Sequence, residues 1–133
     1  MKIVRARSQR LQDRAFKLAR SEDESFGDLC RNSQEVWVAM EDGEILACAG
    51  AELIQDHPCR AELTFCVVAK QARGRGLQER LLKVRLAWAE KEGVTCAETY
   101  THKENKPSLL NLIKAGFVVF SFQDPFVSVR IQL

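Results

Sequence analysis

No apolar run in these 133 residues approaches the roughly 20 needed to cross a bilayer, and Met1-Lys2-Ile3-Val4-Arg5 already carries charge. Neither a secretory leader nor a spanning segment is expected, so the chain reads as a cytoplasmic protein without a membrane partner. An excess of one charge sign is also missing: twenty basic against eighteen acidic residues leave a formal +2, too little to draw the whole molecule to a polyanion. Arg5, Arg7, Arg10, Arg14, Arg20, Arg73 and Arg75 are the cations a nucleic-acid surface would use, but no set of stacking aromatics interleaves with them. No nucleic-acid partner is expected, and any anion site must be local. The five cysteines (Cys30, Cys48, Cys59, Cys66, Cys96) form no CxxC pair, no Cys/His zinc spacing and no even-numbered framework, which leaves reduced thiols and no metal site. Proline is scarce at three, and the seven glycines are scattered, so nothing marks a linker, and residues 1–133 read as one domain.

A hydrophobic content of 46% is present, enough for one core. Its spacing alternates between periods. Residues 2–6 suit a short strand, and Leu11, Ala15, Phe16, Leu18 and Ala19 keep helical spacing behind a capping Ser8. Residues 21–32 read as a loop or a short helix. Residues 35–40 and 45–54 flank an Asp42-Gly43 turn and predict a hairpin. After a turn at 55–58, Ala61 to Ala69 is a nearly continuous apolar strand of the kind covered on both faces. Leu77, Leu81, Leu82, Val84, Leu86, Trp88 and Ala89 mark a helix over 76–92 stopped by Gly93. Residues 95–101 read as a strand, 107–114 as a helix closed by Gly116, and 117–122 and 126–133 as two last strands, the final one able to complete the sheet or pair across a dimer. A monomer and a homodimer both remain open.

The most informative stretch is Val67-Val68-Ala69-Lys70-Gln71-Ala72-Arg73-Gly74-Arg75-Gly76-Leu77-Gln78: strand, basic glycine turn, long helix. Glycines let a ligand approach the backbone, the first N–H groups of a helix lack intrahelical acceptors, and its dipole puts partial positive charge there. Together they make an anion site, to which Lys70, Arg73 and Arg75 add side-chain charge for phosphate. A Walker loop is excluded by the missing Gly-Lys-Ser/Thr, and a dinucleotide fingerprint by Glu79 at its third glycine position.

Gln71-Ala72-Arg73-Gly74-Arg75-Gly76 resembles the cofactor motif Gln/Arg-x-x-Gly-x-Gly/Ala of the GNAT superfamily of N-acetyltransferases. Asn105-Lys106-Pro107-Ser108 through Lys114-Ala115-Gly116-Phe117 resembles that family's later helix. The resemblance implies a mixed α/β fold with a mostly antiparallel sheet of six to seven strands, splayed between residues 61–69 and 95–101, and about four helices. It also implies acetyl-CoA as acyl donor and coenzyme A as product, with no metal. Carried over by position, the pyrophosphate falls to the amides of Arg73, Gly74, Arg75, Gly76, Leu77 and Gln78. The pantetheine arm falls to the backbone of Cys66, Val67 and Val68, and further coenzyme contacts to Asn105 and Ser108, each of which is equally at home as an ordinary helix-start residue. The implied activity is direct acetyl transfer, in a ternary complex, to a primary amine on a small molecule, a peptide amino terminus or a lysine. A non-catalytic acyl-CoA-binding module of the same fold is the alternative.

The chemistry needs a base, an oxyanion donor and a proton for the thiolate. Ala61-Glu62-Leu63-Thr64-Phe65-Cys66 is similar to the segment of histone-acetylating members in which a Glu is the base, which nominates Glu62 over a solvated strand-end carboxylate. The N–H of Val67 or Val68 is the oxyanion donor by the same resemblance. Many members carry a Tyr seven residues after the Asn; here that position is Leu112, and the one tyrosine, Tyr100, is the candidate acid. His57 and His102 read as solvated loop residues. Cys66 reads as packing rather than as a nucleophile, since no His or cation is adjacent in sequence.

Overall fold

The computed structural model describes residues 1–55 and 59–133. His57 and most of the turn expected at 55–58 lie outside them. The elements run β1 (Lys2–Arg5), α1 (Gln9–Glu22), α2 (Glu24–Asn32), β2 (Glu35–Glu41), β3 (Glu44–Ile54), β4 (Arg60–Val68), a 3-10 turn (Lys70–Ala72), α3 (Leu77–Lys91), β5 (Cys96–His102), α4 (Lys106–Lys114), β6 (Val118–Gln123) and β7 (Phe126–Gln132). The seven strands form one sheet in the order β1-β2-β3-β4-β5-β7-β6, with β4–β5 parallel and β1–β2, β2–β3, β5–β7 and β6–β7 antiparallel. By contacts the chain divides into two compact units, Met1–Glu52 with Leu63–Ala87, and Leu53–Glu62 with Trp88–Leu133.

In the first unit, local chemistry sets most of the boundaries. The Ser8 hydroxyl accepts the Leu11 N–H at 3.2 Å and starts α1. The stretch that reads ambiguously in sequence becomes helix α2 because the Asp23 carboxylate accepts both the Ser25 N–H (2.8 Å) and the Ser25 hydroxyl (2.6 Å). Asp42 (φ 52°) and Gly43 (φ 79°) are both left-handed, the backbone a two-residue hairpin loop requires. Ala15 and Ala19 from α1, Cys30 from α2, Val38 and Cys48 from the hairpin, and Phe65 and Val67 from β4 form a buried cluster. Small residues on α1 let that helix sit close to the strands.

In the second unit, β5 pairs with β7 from Cys96↔Gln132 to His102↔Phe126. β7 therefore lies between β5 and β6, and the open edge belongs to β6, not to the final strand. Val118, Val119, Phe120 and Phe122 of β6 are exposed. The parallel ladder of β4 with β5 is Ala61↔Ala97 and Glu62↔Glu98. The division between the units falls in β4 after Glu62.

Candidate functional site

The last residues of β4 carry an alternating set of backbone groups whose direction is fixed at both ends. At one end the Ala69 N–H donates to the Leu46 carbonyl of β3 at 2.8 Å. A trans peptide points its C=O opposite to its N–H, so the Val68 carbonyl faces away from β3, where the Arg73 Nε donates to it at 3.3 Å. In extended backbone a residue's own N–H and C=O share a side, so the Val68 N–H faces outward and the Val67 N–H faces β3. Of the two candidate oxyanion donors, Val68 is the one whose N–H faces outward. At the other end the Phe65 carbonyl accepts from Arg85 Nη1 at 3.2 Å, which turns the Cys66 N–H the opposite way. A Cβ on Gly50 would lie 2.6 Å from both Thr64 Oγ1 and Phe65 Cε1, so β3 and β4 approach closely at this residue. The Thr64 hydroxyl lies 2.5 Å from that of Ser33, which donates to the Leu29 carbonyl at 2.6 Å.

The glycine turn follows. Gly74 (φ 79°) and Gly76 (φ 73°) are left-handed, and nothing lies within 4 Å of where their Cβ atoms would be. Left-handed backbone favours glycine, and the clear space in front leaves room for a ligand to reach the amides. Leu77 anchors the start of α3 at 2% exposure, and the first turn's N–H groups point out of the helix end. One residue departs from the expected cradle. The Arg73 N–H closes the 3-10 turn on the Lys70 carbonyl at 3.4 Å, so of the expected amides this one is engaged within the turn.

The cradle's arginines do not point freely at that space. Arg73 Nη2 reaches both carboxylate oxygens of Glu22 (3.2 and 3.3 Å), and Arg75 Nη2 donates to Glu41 Oε2 at 2.8 Å. The hydrogen bond from Arg75 holds the Glu41 carboxyl below the usual carboxylate range. These bonds tie the turn to the end of α1 and the end of β2, and they offset the positive charge that the sequence alone assigns to phosphate.

Sequence reasoning missed Arg85. It lies in α3 at 4% exposure, with Nε on the Leu81 carbonyl (3.3 Å) and Nη1 on the carbonyls of Gly50 (3.1 Å) and Phe65 (3.2 Å). Among the described residues no carboxylate pairs with it, and burial lowers its affinity for its proton. The signal was in the stripe: Leu77, Leu81, Arg85 and Ala89 recur every four residues, so Arg85 falls on the apolar face. Burial pushes the Cys66 thiol up, and only the neighbouring Arg85 charge opposes this. A cation is thus close to Cys66 in space though not in sequence, and the thiol still stays protonated.

In the second unit Glu62 and Glu98 are registered opposite one another on parallel strands, so their side chains share a face. The Glu98 carboxylate is held by Arg60 Nε at 3.1 Å and Arg130 Nη2 at 3.6 Å. Tyr100, two residues beyond Glu98, shares that face; it is 46% exposed and meets the Phe126 ring edge-on at 5.5 Å. His102 is exposed beside the same ring. The Asn105 carboxamide oxygen caps α4 by accepting the Ser108 N–H at 3.4 Å, so these two residues come together as a helix cap. Leu112, at the position of the family tyrosine, is buried.

No helix among the described residues is long and apolar enough to cross a membrane. No curated protein matches the chain in sequence. Solved structures match it in fold. An acetyltransferase from Bacillus subtilis in complex with CoA is 15% identical, with TM-score 0.81 over 99% of this chain and 98% of its own. The PaiA N-acetyltransferase from Thermoplasma acidophilum in complex with coenzyme A is 16% identical, with TM-score 0.81 over 100% of both chains. The ribosomal-protein-S18-alanine N-acetyltransferase from Escherichia coli is 14% identical, with TM-score 0.79 over 98% of this chain and 94% of its own. The pattern defining the Acetyltransferase (GNAT) family matches residues 5–117, which contain the strand, the glycine turn and the capped helix just described; the chain belongs to that family.

Proposed function

We propose that this chain is an acetyl-CoA-dependent N-acetyltransferase that moves an acetyl group to a primary amine by direct attack in a ternary complex, as one catalytic domain. The observation that carries this reading is the pair of left-handed glycines, Gly74 and Gly76, with open space before them at the start of α3. The amides from Gly74 to Gln78 hold the pyrophosphate, helped by the helix dipole. The outward groups of Cys66 and Val68 pair with the pantetheine arm, displacing Arg73 from the Val68 carbonyl. Asn105 and Ser108 contribute from the start of α4.

Acetyl-CoA supplies an activated acyl group on a thiol that leaves. Glu62 takes the ammonium proton, directly or through water, and the Val68 N–H receives the carbonyl oxygen as it gains charge. Tyr100, on the face shared with Glu62 and Glu98, protonates the departing thiolate. Glu98, opposite Glu62 on β5, is paired with Arg60 and Arg130, and Glu62 is assigned to proton transfer by its place at the start of β4. The acceptor is a small-molecule amine, a peptide amino terminus or a lysine, and CoA-bound relatives support the donor.

The buried Leu112 at the tyrosine position favours a second reading, a CoA-binding module without turnover. Calorimetric titration with acetyl-CoA, with ATP and NAD as controls, followed by assay of CoA release with amines and peptides, separates the two. Selective binding with amine-dependent release supports the transferase, binding without release across the panel supports the module, and no binding removes both.

A further inference from the structure

We propose that Arg85 is a positioning residue of the acyl-transfer site. From inside α3 it turns the Cys66 N–H to the outward edge of β4, and its buried charge favours negative charge on the sulfur end of coenzyme A bound there. The inference rests on the transferase reading above and adds to it a residue that eases departure of the thiolate which Tyr100 then protonates.

The argument begins with cost. A guanidinium taken out of water loses several kcal/mol of solvation unless it is compensated, and a hydrophobic side chain of similar volume often serves stability better. At Arg85 the compensation is three carbonyls and no carboxylate among the described residues. The neighbouring stripe positions, Leu77, Leu81 and Ala89, are apolar and buried, so leucine or methionine would suit the same slot. What the arginine adds is direction and charge. Its Nη1 bridges the Gly50 carbonyl of β3 and the Phe65 carbonyl of β4, where the two strands approach closely. With the Phe65 oxygen fixed, the planar peptide sends the Cys66 N–H outward.

The charge matters because the transfer ends in an anion. After the ammonium has lost its first proton by way of Glu62 to water, the amine nitrogen bonds to the acetyl carbon, the C–S bond breaks with its electron pair passing to sulfur, and the second nitrogen proton leaves to Glu62 as the amide forms. Arg85 keeps its proton throughout and acts by field and through the peptide it holds. In a low-dielectric interior such a charge acts over longer distances than in water. Leu112 offers no proton, so stabilising the thiolate lowers the need for an acid.

A binding experiment reads this without turnover. Coenzyme A and acetyl-CoA share every phosphate, so the ratio of their affinities isolates the thiol. Calorimetry is run with wild type, R85K and R85M from about pH 6.5 to about pH 9.5, a range that spans ordinary thiol titration. Wild type should gain affinity for CoA relative to acetyl-CoA as pH rises, by about tenfold, equivalent to about one pKa unit. R85K should retain the gain. R85M should lose it while still binding acetyl-CoA, with circular dichroism checking the fold. A wild-type ratio flat in pH overturns the inference alone, and so does an R85M ratio that rises as the wild type's does. Should R85M not fold, the wild-type ratio still decides. Failure of wild type to bind either compound overturns the transferase reading and this inference together.

Discussion

Glu62 stands at the start of β4 opposite Glu98, whose charge Arg60 and Arg130 already offset. If Glu62 is the base, Glu62→Gln should leave acetyl-CoA affinity unchanged and lower acetyl transfer about 100-fold, the usual scale for a general base; an unchanged rate at neutral pH removes it from that role. Gly50 is a different kind of residue, fixed by space. A methyl there would meet Ser33 Oγ at 2.5 Å and Thr64 Oγ1 and Phe65 Cε1 at 2.6 Å, so Gly50→Ala should destabilise the fold by about 1–3 kcal/mol in urea titration. The thiols divide by burial. Cys30 is pushed up to about 11 by desolvation, Cys48 and Cys66 are raised by the same cause, and Cys59 is exposed. A thiol reagent at neutral pH should label one site quickly, and Cys59→Ser should abolish that fast phase. Glu62 and Gly74 are candidates nominated from their neighbours in sequence. Arg85 was passed over because a charged residue in an amphipathic helix is ordinarily solvated.

Among the elements, the glycine turn is where order and binding meet. Gly74→Glu should abolish acetyl-CoA binding in calorimetry, since a carboxylate at the helix start repels an anion as well as occupying its space. The Arg75–Glu41 pair that pins the turn has a pH sense. The folded Glu41 carboxyl is lowered by Arg75, so its contribution is present above the unfolded carboxylate pKa and is lost as pH falls through the lower folded value. Glu41→Gln removes the same pin at neutral pH. Trypsin should then cut after Arg75 faster than in wild type, and equal rates would mean the pair does not hold the turn. Element boundaries at Ser8, Asp42-Gly43, Gly93 and Gly116 were legible because caps and left-handed turns are chosen by adjacent residues. Helix α2 was not, because its start depends on one Asp23 side chain turning onto Ser25.

At the scale of the whole molecule, a ligand that binds only the folded chain stabilises it by mass action. At about 100 times its Kd, acetyl-CoA should add about 2.7 kcal/mol, seen as a rise of several degrees in Tm, with ATP giving none. A Tm that ignores acetyl-CoA at concentrations well above micromolar would count against the cofactor assignment.

The amino-acid sequence by itself determined the order and kind of the elements apart from α2, the glycine turn between β4 and α3, and the family to which the motif points. All of these rest on residues within one turn or one period of each other. Only the tertiary structure decided that Arg73 and Arg75 pair with carboxylates 51 and 34 residues away, that β7 is interior and β6 the edge, and that Val68 rather than Val67 presents its N–H outward. It alone buried Arg85 against carbonyls 35 and 20 residues away. Partners so far apart in the chain are chosen by which strands become neighbours, and that choice is made by burial of the core as a whole rather than by any local run of residues.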